Sequence, residues 1–291
     1  MATLADYTRA IEESGFLLES RVARALREMG CSTTPNSPIL HPREHNEVIE
    51  IDIEASIEGY QHHDLFRGTW SSLLIECKSN HQPIAFFSHP EEKPEINAYC
   101  AACCSNTWNG SDLVAEMDVT QWHHYGRAAT VATQLCSFQN KSGKIVADPC
   151  SSYRESLNRL CLATAAITGR LDGEPSRGAI GGYILKFVYP VLVAGGPLLS
   201  VEVTPDGIHL LSKDRIQLRR GARIGGVMHE FQIDVVIEAA LSNLLAEIKF
   251  ETEYVAKWAV RNEGILRPDE MEQPKPKRVG KQTKPKRKSK T

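Results

Sequence analysis

No apolar run in this chain approaches the roughly 20 residues needed to span a bilayer, so no helical membrane segment is expected. No basic stretch leading into an apolar one opens the sequence, where Asp6, Glu12 and Glu13 stand instead. A cytoplasmic protein without a signal peptide is therefore expected. No Gly-x4-Gly-Lys-Ser/Thr occurs, which leaves any motor function to a protein partner. Internal repeats are absent too, excluding a solenoid. Cysteine is present, eight in all, and without a secretion signal these read as reduced thiols. Cys100, Cys103 and Cys104 include one Cys-x2-Cys half-site for zinc, but no second half follows it.

What is there fits a soluble globular protein: 291 residues, 42% hydrophobic and 24% charged. Helix-like and strand-like segments mix, so the class is α/β or α+β. The net charge of −2 hides an asymmetry. Residues 272–291 hold nine Lys/Arg and one acid, leaving the body with 25 basic and 35 acidic residues. A polyanion would meet such a body only at a local basic surface or at the tail.

Along the chain, Phe16, Val22, Leu26 and Met29 recur at helical spacing and predict one helix over 8–30. Pro35, Pro38 and Pro42 mark an irregular or edge segment. Residues 48–55 alternate, with Ile49, Ile51 and Ile53 inward and Glu50, Asp52 and Glu54 outward, as in a half-buried strand. Residues 57–71 read as a connection and 72–77 as a second strand, with 81–110 a long irregular insertion. Helices are expected over 118–138, 153–167 and 239–260. Strands are expected over 184–193 and 198–203, turned by Gly195-Gly196, and over 208–211, 215–218 and 231–237. Three parts follow: 1–145 with an insertion at about 80–118, a strand-rich 146–268 forming a continuation or small second domain, and a disordered basic tail, 269–291.

Period-2 geometry puts Glu76 and Lys78 of Glu76-Cys77-Lys78 on one strand face. With Asp52 on the neighbouring strand and Glu19 on the first helix, the chain offers three carboxylates and an ammonium. Mg²⁺ takes hard oxygen ligands and keeps several waters, so two or three carboxylates with a substrate phosphate suffice. Each group alone would pass for a solvated face; in order, they suit phosphodiester hydrolysis.

The residues Gly15 to Ala23, ending at Met29-Gly30, with Glu50-Ile51-Asp52-Ile53-Glu54-Ala55 and Leu73-Leu74-Ile75-Glu76-Cys77-Lys78-Ser79, resemble the PD-(D/E)xK nuclease superfamily, in particular its methyl-directed type IV restriction enzymes. The similarity spans about residues 10–80. It implies an α/β fold with a restriction-endonuclease-like core, a mixed sheet flanked by helices, and a Mg²⁺-dependent deoxyribonuclease of a restriction or antiviral defence setting, with Mn²⁺ as a substitute ion. Asp52 and Glu76 would bind the metal, with the Cys77 backbone carbonyl as an addition and Glu19 joining directly or through water. Lys78 would attend the attacking water. A polar residue on the helix after Glu-x-Lys often assists in such enzymes, which makes Gln134 a weak candidate; Glu50 and Glu54 are replacements should Asp52 point away. DNA is the expected partner, with RNA, an activating protein and self-association left open. The alternative is a catalytically silent nuclease-like fold that binds nucleic acid or serves assembly.

Asp234 followed by Glu247-Ile248-Lys249 repeats the pattern, but Glu247 and Lys249 fall inside a predicted helix, where residues i and i+2 diverge. Arg215, Arg219, Arg220 and Arg223 could form a phosphate-contacting stripe or a solvated edge.

Overall fold

A computed structural model describes residues 2–14, 16–44, 46–59, 66–90, 101–104, 117–149, 151–171 and 183–262. The basic tail and Cys100 lie outside these residues. The elements run α1 (Leu4–Glu13), α2 (Phe16–Glu28), β1 (Ser32–Leu40), β2 (Val48–Glu58), β3 (Phe66–Lys78), β4 (Ile84–Pro90), β5 (Ala101–Cys104), α3 (Val119–Trp122), β6 (Thr130–Lys141) and β7 (Lys144–Asp148). They continue as α4 (Ser151–Leu171), β8 (Tyr183–Ala194), β9 (Leu198–Thr204), β10 (Gly207–Lys213), β11 (Arg215–Ile224), β12 (Val227–Ile237) and α5 (Leu241–Arg261).

One mixed twelve-stranded sheet organises the described residues, in the order β1-β2-β3-β8-β12-β11-β6-β4-β9-β10. β5 adds to β8 and β7 to β6. β2 is antiparallel to β1 and β3, whereas β3, β8 and β12 run parallel. A parallel neighbour needs a crossover, and α4 lies between β3 and β8 in the chain. The α/β class is thereby seen. No described helix is long and apolar enough to cross a membrane.

Both faces of β3 are covered, which is why it reads as an unbroken apolar run. Leu73 and Ile75 join Leu18, Val22 and Leu26 of α2 and Leu244 and Ile248 of α5. Leu74 joins Leu157, Leu160 and Cys161 of α4. All three β3 residues are fully buried, and each such side chain is worth roughly 1.5–3 kcal/mol.

Four expectations change. The helix over 8–30 is two: α1, opened by a Thr3/Asp6 capping box, ends at Ser14 before α2 begins. A Ser-Gly pair is a poor place to continue a helix. α2 stops where expected, at Gly30, whose φ of +87° closes a Schellman turn with the Cys31 N–H donating to the Leu26 carbonyl. The proline-bearing segment is an edge, as expected: it is strand β1, paired to β2, where missing N–H groups are tolerated.

The irregular insertion over 81–110 contains β4, an inner strand between β6 and β9, and β5. The helix over 118–138 is the single turn α3 followed by strand β6, in which Thr130, Val131 and Thr133 favour extended backbone. The Gly195-Gly196 turn does not make a hairpin, since β8 pairs with β3 while β9 pairs with β4. Two parallel chains turn this corner together, with the Gly195 N–H donating to the Lys78 carbonyl at 2.7 Å. A Cβ at Gly196 would stand 2.6 Å from the Gln82 carbonyl oxygen, so only glycine fits.

Candidate functional site

Asp52, Glu76 and Lys78 lie at the carboxyl end of β3, the end of a parallel strand at which α/β sheets commonly bind ligands. Pairing of β2 with β3 runs to Ile53 opposite Ile75, and one step further stand Asp52 and Glu76. There the Asp52 carboxylate accepts the Cys77 backbone N–H at 2.7 Å. On its other side, the β1–β2 ladder skips the Asn36/Asp52 pair, and Asn36 adopts φ +48°. The apolar neighbours change allegiance at the same point. Ile49 and Ile51 belong to the α4 core, Ile53 and Ala55 to that of α2 and α5.

Glu76 is fully buried. Its Oε2 accepts from Arg159 Nη2 at 2.6 Å, and the same nitrogen lies 3.2 Å from Ser156 Oγ. Its Oε1 is buried and has no hydrogen-bond partner among the described residues. Burial and then the Asp52 charge raise the Glu76 carboxyl to about 7, against the pull of Ser156, Arg159 and Lys78. Glu19, half-buried on α2, is also raised, first by burial and then by Asp52, with Lys78 opposing. The buried Cys77 thiol is pushed up by burial and by the charges of Asp52, Glu19, Glu76 and Glu238. Glu19, Asp52, Glu76 and Lys78 thus act on one another within one electrostatic neighbourhood.

The replacements are set apart. Glu54 accepts from Ser37 Oγ at 2.8 Å and Ser72 Oγ at 3.3 Å, while Glu50 is exposed. Gln134 is exposed on β6, separated from β3 by β8, β12 and β11. The polar residues on the helix after Glu76-Cys77-Lys78 are instead Ser156 and Arg159 of α4. Their signal in the sequence was a polar i, i+3 pair inside the Tyr153–Ile167 helix.

A second polar cluster, missed in the sequence, lies on the α5 side of the sheet. His124 is buried between two carboxylates: Nδ1 is 2.9 Å from Glu251 Oε1, and Nε2 is 2.9 Å from Asp234 Oδ2. Despite burial, the largest influence, Asp234 and Glu251 raise His124 to about 9, so it is an imidazolium. Glu251 also accepts the His124 backbone N–H at 2.6 Å and the Tyr189 hydroxyl at 3.1 Å. Arg215 donates to Asp234 and to Glu247. Burial opposes that pair as well, but Arg215 and His124 hold Asp234 down at about 2. Arg215 therefore leaves any phosphate stripe, and Glu247 and Lys249 lie within α5 as expected.

His123 Nδ1 accepts the Tyr125 N–H, which leaves the proton on Nε2, and burial lowers its pKa to about 4. His123, His124 and Glu251 bring one ligand atom each within 4.8 Å, as do the loop residues His41, Glu44 and Glu47; Glu19, Asp52 and Glu76 do not gather so tightly. Both His124 nitrogens carry protons to carboxylates, however, so a metal there would have to displace them.

No protein-family model matches the chain, and no curated protein or solved structure matches it either.

Proposed function

We propose that the protein is a Mg²⁺-dependent deoxyribonuclease with a restriction-endonuclease-like core, acting through Asp52, Glu76, Glu19 and Lys78. The observation carrying this reading is the buried Glu76 Oε1, a hard oxygen with no partner, beside Asp52 at the end of β3. A buried acceptor left unpaired costs about 1–3 kcal/mol, which a cation in contact with it would recover. Asp52 and Glu76 would hold the ion, and Glu19 would reach it directly or through water. When bound, Mg²⁺ polarises the phosphate and acidifies a coordinated water.

The chain's own residues do the rest. Lys78, half-buried two residues beyond Glu76, orients the attacking water and offsets the charge that develops on the phosphate oxygens. The water oxygen bonds to phosphorus, the bond to the leaving oxygen breaks, and that oxygen takes up a proton. Glu19, with its raised pKa, is suited to receive the proton the water loses. Approach of DNA is supported by Arg154 and Arg159 of α4 and Arg220 of β11, local cations on an acidic body.

A second reading has its own observation: Arg159 already neutralises Glu76, as a catalytically silent fold would need. Incubating plasmid with the protein and Mg²⁺ separates the two. Cleavage that is abolished by EDTA and by Lys78→Ala is the expected result. Equal nicking by the Lys78→Ala protein overturns the assignment, and no cleavage at all favours the silent fold.

A further inference from the structure

The ion pair between Arg159 and Glu76 is incomplete on both sides. Among the described residues Glu76 Oε1 has no hydrogen-bond partner, and neither has the buried Arg159 Nε. Guanidinium and carboxylate ordinarily meet as two parallel bonds. This chain makes that fork elsewhere: Arg21 Nε and Nη2 lie 2.7 and 2.9 Å from the two oxygens of Glu238. Arg215 likewise engages its Nε, at 2.9 Å from Asp234 Oδ1. Arg159 alone of these three uses a single nitrogen, Nη2, on the carboxylate and on Ser156 Oγ. Its side chain is 33% exposed, so the guanidinium is within reach of solvent. Among the described residues no hydrogen-bond partner meets this acceptor or this donor, and they differ in sign. The acceptor suits a cation, the donor an anion with several oxygens.

We propose that Arg159 is a phosphate-binding residue of this site, with two partners by turns. In the metal-free protein it holds Glu76 by one bond. With substrate present, its guanidinium takes a non-bridging oxygen of the scissile phosphate, while a divalent cation on Glu76 competes for the carboxylate. Arg159 is therefore the latch of the empty site and a clamp of the occupied one. This rests on the nuclease reading of Asp52, Glu76 and Lys78. It goes beyond it by assigning opposite effects to one residue: Arg159 opposes metal binding and promotes cleavage. A purely structural ion pair would support both or neither.

The test titrates Mn²⁺ into wild-type, Arg159→Gln and Arg159→Lys proteins by calorimetry at pH 8.5, and measures plasmid cleavage by each. Removing a positive charge in contact with a metal ligand should tighten Mn²⁺ binding of Arg159→Gln about tenfold. Loss of a phosphate donor should slow its cleavage about 100-fold or more. Arg159→Lys keeps the charge but lacks the fork, so its Mn²⁺ affinity should stay near wild type while its cleavage slows about tenfold. Circular dichroism melting identifies any variant that does not fold, and if Arg159→Gln fails, Arg159→Lys carries the test. Wild-type cleavage by either folded variant, or weaker Mn²⁺ binding by Arg159→Gln, overturns the inference while the nuclease reading stands. A wild-type protein that neither binds Mn²⁺ nor cleaves overturns both.

Discussion

Two buried polar clusters flank the same sheet, and each sets an arginine against a carboxylate, yet they are built on opposite terms. Around His124 each polar group is answered: both ring nitrogens, both Glu251 oxygens, and Asp234 between His124 and Arg215. Around Glu76 the accounts stay open, with Oε1 and the Arg159 Nε unpaired and four charged groups crowded at a strand end. A saturated network fixes architecture, here tying the segment after α3 to β12, α5 and β8. An unsaturated one is costly to the fold and is expected where a ligand completes it. Burial alone does not separate structure from chemistry; completeness does.

The two clusters should part most widely at Lys78. Lys78→Ala should reduce plasmid cleavage at least 10³-fold, as loss of charge stabilisation in a reacting site does, with little change in melting temperature. At the saturated cluster the pattern reverses. His124→Ala should destabilise the fold by about 3–5 kcal/mol, since it strands Asp234 and Glu251 without their shared cation. A denaturant melt measures this, and a loss below about 1 kcal/mol would show the network to be incidental.

Glu76→Gln should do what His124→Ala does not, and stabilise the metal-free protein. The Glu76 carboxyl rises from the usual 4.5 to about 7 in the fold, so ionisation opposes folding above pH 7 and the penalty fades as pH falls toward 4.5. The gain in Glu76→Gln should be roughly 2–3 kcal/mol at pH 8 and vanish near pH 4.5, while cleavage is lost.

The His124 contribution has a different window. With its pKa raised to about 9, His124 stabilises fully below pH 6.5, and this is lost as pH rises through 9. Asp234, held at about 2, contributes above pH 3.8, and that part is lost as pH falls through 2. His123, lowered to about 4, adds a loss as pH falls from 6.5 toward 4. Because Glu76 loses stability over pH 4.5 to 7 while His123 gains it over pH 4 to 6.5, wild-type melting temperature should be nearly level between about pH 4.5 and 6.5 and decline toward pH 9. In Glu76→Gln the alkaline decline should persist and in a His124 variant flatten. The smallest effect belongs to Arg21→Ala. Its ion pair with Glu238 is bidentate but nearly half exposed, and should be worth under about 1 kcal/mol.

Much of the candidate site was legible because its residues sit in strongly patterned segments. The Leu73-Leu74-Ile75 run and the alternation around Asp52 announce β3 and β2, and strand geometry then puts Glu76 and Lys78 on one side. Arg159 was not legible as a site residue. Its helix was readable, but only the crossover from β3 to β8 brings that helix over Glu76, and pairing across more than 100 residues leaves no local mark. The His124 cluster was hidden for the same reason: its parts come from residues 124, 189, 215, 234 and 251, each with an ordinary local context. Residues 118–138 carry helix-length spacing and β-branched residues together, and tertiary pairing with β4 and β11 decides for strand.

If the open cluster accepts a divalent cation, calorimetric titration of Mn²⁺ into wild-type and Asp52→Asn proteins will report it. Asparagine can still accept the Cys77 N–H and relieves the repulsion on Glu76 and Glu19, so the variant should melt no lower than wild type. Saturable binding to wild type and its loss in Asp52→Asn is the predicted result. Equal binding by both proteins, or none by wild type, would contradict the account.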